Sequence, residues 1–319
     1  PSFRATKDIS IPEDIVEEVA RIYGYDNIQA QLPIVTLQKP RTNIEYQAGR
    51  DIKKWLALSQ MYNELYTYPF SNLDWAKKLN LDIGQHVKVK NAVSPEQTYL
   101  NMSLLPNLLK KAEENMRWYE EFRIFELERV FDKSSKGIYQ VDAAKDKFLP
   151  KQDKMLAGVE VGKQSQEQLF LSIKGLVGSM MKYWGIDWSA DNISVSYAKA
   201  AYQINFQENI LGQFGVLDTE LFDSGGAKVN IGFWQIDFTL LIKYISQVPK
   251  FRQLSKYPSI NRDLAVVVDK SLNWQQIKDE VLKISPLIQN IEPFDVFVGQ
   301  SIGDNKKSIA FHLEFRSDD

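Results

Sequence analysis

The chain has 319 residues, of which 44% are hydrophobic and 25% charged, and its formal net charge is −2. That length accommodates two or three domains, and that balance describes a globular rather than a disordered protein. A non-specific polycationic coat for nucleic acid is excluded, as is a spanning run of about 18 apolar residues. With no cysteine, so are disulfides, thiolate nucleophiles and thiolate zinc sites.

The chain opens Pro1-Ser2-Phe3-Arg4, without Met or an apolar signal region. It therefore reads as a fragment or processed form, and a cytoplasmic home is expected. Ser10-Ile11-Pro12-Glu13 has the form of a capping box with Pro in the first turn. It predicts a helix to about Tyr23, ended by Gly24, that buries Ile15, Val19 and Ile22. Asp14, Glu17 and Glu18 fall near one face of that helix, and Asp8 lies just upstream. Two readings of these acids stand side by side. One is a solvated acidic first turn favoured by the helix dipole. The other is a set of oxygen ligands around a hard cation such as Mg²⁺, which relieves their mutual repulsion.

Gln29 to Arg41 carries Pro33 and Pro40 and reads as an extended linker. Thr42-Asn43-Ile44-Glu45 has the form of a second capping box, and the helix after it presents Ala48, Ile52, Trp55, Leu56 and Ser59 at spacings of three and four. Tyr62 to Phe70 and Val87 to Lys90 alternate as strands do. Pro106 lies in the first turn of a helix whose Leu105, Leu108, Leu109, Ala112 and Met116 share one face. Phe122 to Phe131 and Met155 to Val161 read as strands, and Leu169 to Trp184 as a helix. Ile193 to Ala200, Tyr202 to Gln207, Ile210 to Leu217 and Val229 to Asp237 read as successive antiparallel strands, with a turn at Asp223-Ser224-Gly225-Gly226. His86 and His312 stand alone, as packed or exposed histidines do; a general base needs positioned partners. No P-loop, no Gly-x-Ser-x-Gly elbow and no Gly-x-Gly-x-x-Arg occurs.

Toward the C-terminus, Lys250, Arg252, Lys256 and Arg262 surround Tyr257-Pro258. The mix suits phosphate contact and base stacking, but four basic residues in thirteen is an ordinary density, and a solvated linker is the plainer reading. Asp263 to Asp269 reads as a buried strand, and Asn273 to Ile284 as a helix with Ile277, Val281 and Ile284 inward. Strands Ile288 to Val298 and Ser308 to Phe315 flank the turn Gly303-Asp304-Asn305-Lys306. Strand–helix–strand–strand is the first part of a ferredoxin-like fold. The row Ile309, Phe311, Leu313 and Phe315, which a helix covers in the complete fold, is therefore expected to be bare, mobile or packed on a neighbouring molecule.

Three stretches carry a family resemblance. Asn91, Ser94, Ser103 to Pro106, Leu108, Leu109, Phe125, Glu126 and Arg129 to Phe131 form the first. Arg4, Asp8, Glu13-Asp14, Val16-Glu17-Glu18, Ala20-Arg21 and Tyr23-Gly24-Tyr25 form the second. Lys256-Tyr257-Pro258, Arg262-Asp263-Leu264-Ala265, Phe294 to Gly299 and Lys307 to Phe311 form the third. Together they resemble the beta subunit of bacterial phenylalanine–tRNA ligase, with departures at Asn101, Asn107 and Glu128, where that family has Arg, Gly and Gly.

The resemblance implies an α+β protein: a class II synthetase-like antiparallel sheet with flanking helices, plus a truncated ferredoxin-like anticodon-binding domain. Residues 1–34 would be the tail of a small preceding domain with its linker, 35–249 a catalytically silent core, and 250–319 the anticodon-binding part. The helix after Asn43 and its strand would correspond to the interface-forming motif 1. The motif 2 and motif 3 arginines of active class II enzymes are missing, so no residue here is expected to be catalytic. The implied partners are an alpha subunit, in a heterotetramer that joins phenylalanine to tRNA with ATP, and the tRNA itself, with no membrane. The implied cofactor is Mg²⁺ at Asp8, Asp14, Glu17 and Glu18, shared with the alpha subunit. The family's editing domain would lie upstream. Within the anticodon-binding part, Arg262, Phe294, Lys306, Lys307 and Arg316 are the expected RNA contacts, since cations neutralise phosphate and aromatics stack on unpaired bases. Phe294 reads equally as core. The rival reading is a stand-alone RNA-binding or scaffold module that reuses these folds.

Overall fold

Strands with apolar residues at consecutive positions need cover on both faces of their sheet. Ile124-Phe125, Leu156-Ala157 and Phe233-Trp234 are such pairs. In the computed structural model, which describes residues 9–142, 147–222, 229–245 and 255–317, each pair divides between two cores. Phe125, Leu156 and Trp234 join one; Ile124, Ala157 and Phe233 join the other. The chain forms two units, 1–245 and 246–319.

The sheet of the first unit has seven strands: β1 (Asn63–Glu64), β2 (Phe122–Asp142), β3 (Lys147–Gly162), β4 (Ser189–Ile193), β5 (Ala198–Phe206), β6 (Asn209–Leu217) and β7 (Asn230–Asp237). Their order is β1-β2-β3-β7-β6-β5-β4, with β1 parallel to β2 and every other pairing antiparallel. One face is covered by α2 (Ile44–Ser59), α5 (Gln166–Tyr183) and α6 (Phe238–Leu241), which contribute Ile52, Leu56, Ile173, Val177, Met180 and Phe238 to its core. The other face is covered by α3 (Leu73–Lys78) and α4 (Leu105–Asn115), through Trp75, Leu105, Leu108, Leu109 and Ala112. Gly158 lets the Trp234 ring lie flat on β3; a Cβ there would come within 2.4 Å of the indole.

The caps use ordinary capping chemistry but not at the expected residues: α2 is capped by Asn43 rather than Thr42, and α5 starts at Gln166 rather than Leu169. Asn43 begins α2 by accepting from the Tyr46 amide, and Ser165 and Gln168 form a reciprocal box at the start of α5. The expected strand Tyr62 to Phe70 shrinks to β1. Beyond Leu65 the carbonyls of Tyr68 and Phe70 are taken by the Asn107 side chain instead of a strand neighbour. Val87 to Lys90 is reduced to a single bridge, Lys88 to Tyr99. Ile193 to Ala200 divides between the end of β4 and the start of β5. α3 has only six residues, too few to show a helical period. The expected turn at Asp223 to Gly226 lies outside the described residues.

In the second unit, β8 (Ile260–Asp269), α7 (Trp274–Ile284), β9 (Ile288–Phe297) and β10 (Lys306–Phe315) form an antiparallel sheet of order β8-β10-β9 with one helix. Here two expectations are corrected. Ile309, Phe311 and Leu313 are not bare: they are buried with Ile277 of α7, and the Trp274 ring lies 5.4 Å from that of Phe311. β8 is not buried: it is an edge strand, with Val266 and Val268 packed on the core but Leu264 and Val267 about half exposed. Ile284, expected inward, is 77% exposed at the last position of α7.

A further correction concerns α1 (Pro12–Tyr23). Ile15, Val19 and Ile22 are 55%, 63% and 78% exposed, because no described residue covers them.

Candidate nucleic-acid interface

Alternation along β10 decides what its sheet offers to solvent. With Ile309, Phe311 and Leu313 turned to α7, the residues between them face the other way. On that open face His312 Nδ1 lies 2.6 Å from Asp263 Oδ1, and the imidazole stacks on Phe294 with ring centres 4.3 Å apart. Asn261, Asp263, Asn290, Glu292, His312 and Glu314 line a shallow cavity of about 440 Å³ there. Phe294 is 52% exposed, a surface aromatic rather than a core one. Of this cluster, only Phe294 was expected from the sequence. The signal for the rest was the period-two pattern of β10, whose apolar row implied an opposite polar row.

The expected cations do not gather into one patch. Lys306 and Lys307 begin β10 and Arg316 follows its end, so ten residues of strand place them roughly 30 Å apart. Arg262 is opposite Leu313, toward the Arg316 end. Several are engaged: Lys307 donates to the Lys270 carbonyl, Arg316 to the Glu314 carboxylate and Arg262 to the Asn261 carbonyl. Lys250 and Arg252 lie outside the described residues.

Two of the acids of α1, Asp14 and Glu18, are also engaged. Ile11 is the N-cap and offers no oxygen from its side chain. Asp14 takes over that role, accepting from the amides of Ser10 at 2.6 Å and Ile11 at 2.9 Å. Those bonds hold its carboxyl below the usual carboxylate range. Glu18 pairs with Arg21 at 2.6 Å. Among the described residues no group of three or more acids or histidines is arranged to hold a metal ion, and Asp8 lies outside them. Asp14, Glu17 and Glu18 therefore do not fit a cation by themselves.

In the first unit, polar side chains cross the α4-covered face of the sheet along one register line. Glu126 is opposite Ala157, Ala157 opposite Gln235 and Gln235 opposite Gln213. Each polar side chain has an internal partner: Thr67 N–H and O–H donate to Glu126, Ser103 to Gln235 at 2.5 Å, and Tyr197 to Gln213. Burial pushes the Glu126 carboxyl up, against the lowering pull of Thr67. His86 is buried between Ser71 and the Asp82 carbonyl, a packed histidine.

Residues 255–319 match the model of the ferredoxin-fold anticodon-binding domain, and residues 28–238 match that of the phenylalanyl tRNA synthetase beta chain CLM domain. Both matches place the chain in the class of tRNA synthetase chains whose models include a ferredoxin-fold anticodon-binding domain. The chain belongs to the phenylalanine–tRNA ligase beta-subunit family. It is 31% identical to the phenylalanine–tRNA ligase beta subunit of Carboxydothermus hydrogenoformans over 99% of the chain, and 29% identical to that of Fusobacterium nucleatum over 99%. The relative from Geobacillus kaustophilus is 29% identical over 97%. The chain spans 39–40% of the length of these relatives. Among the described residues no helix is long and apolar enough to cross a membrane.

Proposed function

We propose that this chain is part of a phenylalanine–tRNA ligase beta subunit, acting in the cytoplasm beside an alpha subunit in a heterotetramer. It supports ATP-dependent attachment of phenylalanine to tRNA through subunit assembly and tRNA binding. The observation that carries the reading is the co-occurrence, on one chain, of the beta-chain CLM and anticodon-binding matches. A sheet with one parallel edge strand and helices on both faces supports a class II synthetase-like core. Catalytic silence is supported by the α4-covered face, which is filled by Trp75, Leu105, Leu108 and Phe233 and crossed by polar groups already paired inside the protein. The domain limits 1–34, 35–249 and 250–319 belong to the same reading.

For RNA, Phe294 on the open sheet face is a stacking platform, while Arg262, Lys306, Lys307 and Arg316 are phosphate contacts at its two ends. The face itself is acidic, so it suits a base, held by its ring and its hydrogen-bonding edge, better than a phosphate. The reading of Asp8, Asp14, Glu17 and Glu18 as a magnesium set shared with the alpha subunit rests on their spacing, and it requires Asp14 to exchange its capping bonds for the ion. The test of the whole reading is co-expression with a cognate alpha subunit, followed by sizing and an aminoacylation assay. A complex that charges tRNA with phenylalanine is expected, and the chain alone should catalyse no phenylalanine-dependent pyrophosphate exchange. Failure to form any complex would overturn the reading. Glu17→Gln with Glu18→Gln should lower the magnesium dependence of that complex; an unchanged dependence removes the metal role.

A further inference from the structure

A cavity of about 610 Å³ lies at the ends of β1, β2 and β3, with Met61, Asn63, Asn115, Tyr119, Glu121 and Gln164 in its wall. Neither subunit assembly nor tRNA binding, as proposed, makes use of it. Two helices finish on it. Asn115 is the last residue of α4, and Met61 follows the end of α2 with a left-handed φ of 58°. Helix C-termini carry partial negative charge and favour cations.

The three amides in the wall have their nitrogens engaged inside the protein. Asn63 Nδ2 donates to the Arg123 carbonyl at 3.3 Å, Asn115 Nδ2 to the Lys111 carbonyl at 2.8 Å and Gln164 Nε2 to Glu160 Oε1 at 3.2 Å. Each nitrogen spends one N–H there and keeps a second, while each carbonyl oxygen keeps two lone pairs, so acceptor sites outnumber donors two to one. Glu121 adds a carboxylate with no direct ion pair among the described residues; Lys163 pairs with its neighbour Glu120 and feels the Glu121 charge from farther off. The cavity's own cation, Arg123, is already satisfied. Its guanidinium donates to the buried Glu160 at 2.9 Å and to the Gln60 carbonyl at the end of α2 at 3.2 Å, over the Tyr62 ring. Arg123 and Glu160 cancel, and the surplus is one negative charge and more acceptor sites than donors. Tyr119, Phe122 and Leu65 supply apolar wall for an alkyl stem.

We propose that this cavity binds an alkyl guanidinium, as a free small cation or as an arginine side chain presented by another polypeptide. The planar fork of five donors matches acceptors spread over several side chains, and it gives up water more readily than an ammonium does. In the cavity wall, Arg123 already occupies such surroundings, between a carboxylate, a helix-terminal carbonyl and an aromatic ring.

The experiment is a titration of the ¹⁵N-labelled 319-residue chain with n-butylguanidinium and with N-acetylarginine amide. N-butylurea, of the same shape but neutral, is the control. Saturable shifts of the Asn63, Asn115 and Gln164 side-chain amides are expected with a guanidinium and not with the urea. Glu121→Gln should weaken binding roughly tenfold, the effect of removing one charge-assisted hydrogen bond; Glu121 is exposed, and Asn115→Leu gives the same readout should that variant misfold. Stronger binding of butylguanidinium points to a free cation, and stronger binding of the capped arginine to a polypeptide. No saturable shift with either, equal shifts with butylurea, or unchanged affinity in Glu121→Gln overturns the proposal.

Discussion

Asp14 illustrates how one side chain can be claimed by two roles. As a cap it accepts the N–H of Ile11, which α1 would otherwise leave unpaired, and that of Ser10 just before it. Because those bonds lower its carboxyl below the ordinary value of 3.8, its contribution is present above that value and is lost as pH falls through the lower folded one. Amide exchange at residues 10–14 should therefore accelerate in Asp14→Ala at neutral pH, and in the parent chain only below about pH 3.8. Unchanged exchange in the variant would return Asp14 to the ligand set. Glu160 makes a second residue-scale case. Its buried carboxylate binds Arg123, Tyr62, Gln164 and Ser172. Glu160→Ala strands these groups, and because Arg123 is partly open the cost is expected near the lower end of the buried-pair range, about 3 kcal/mol by urea unfolding.

At the scale of elements, the second unit rests on one helix laid across three strands, and Phe311 is the fully buried side chain at that junction. Phe311→Ala should cost about 3–5 kcal/mol, enough to unfold this small unit while leaving the first unit's transition in place. Separate melting curves followed at Trp274 and by far-UV circular dichroism check this; one common transition would show that the units fold together. The same junction shows what the sequence disclosed. The row Ile309, Phe311, Leu313 was legible because its period is two, and α4 was legible because Leu105, Leu108, Leu109 and Ala112 recur at helical spacing. That α7 covers the row was not, because facing partners leave no local pattern. Nor could the shortening of β1 be read: it depends on Asn107, some forty positions along, capturing the carbonyls of Tyr68 and Phe70. In the candidate site Phe294 was read, but Asp263 and His312 become neighbours only through the β8–β10 register.

At the scale of the whole molecule, a net charge of −2 means that any hold on RNA comes from local features rather than from the overall field. The second unit separates those features in space. An exposed aromatic ring lies on the edge strand β9 at Phe294, and positive charge lies toward the two ends of β10, at Lys306 and Lys307 on one side and Arg262 and Arg316 on the other. Stacking and phosphate neutralisation respond differently to salt, which makes the division measurable. Phe294→Ala should weaken tRNA binding by about 1–3 kcal/mol, the value of one base stacked on an aromatic ring, at every salt concentration. Lys306→Glu with Lys307→Glu should weaken it mainly at low salt and flatten the dependence of log affinity on log salt, by roughly 0.7 to 0.9 for each phosphate no longer neutralised. Binding isotherms for the parent chain and both variants at several salt concentrations separate the two effects. If the lysine pair leaves the slope unchanged, those residues do not touch phosphate. If Phe294→Ala changes the slope but not the affinity extrapolated to high salt, the ring is not a stacking platform, and the acidic face around His312 serves something other than an unpaired base.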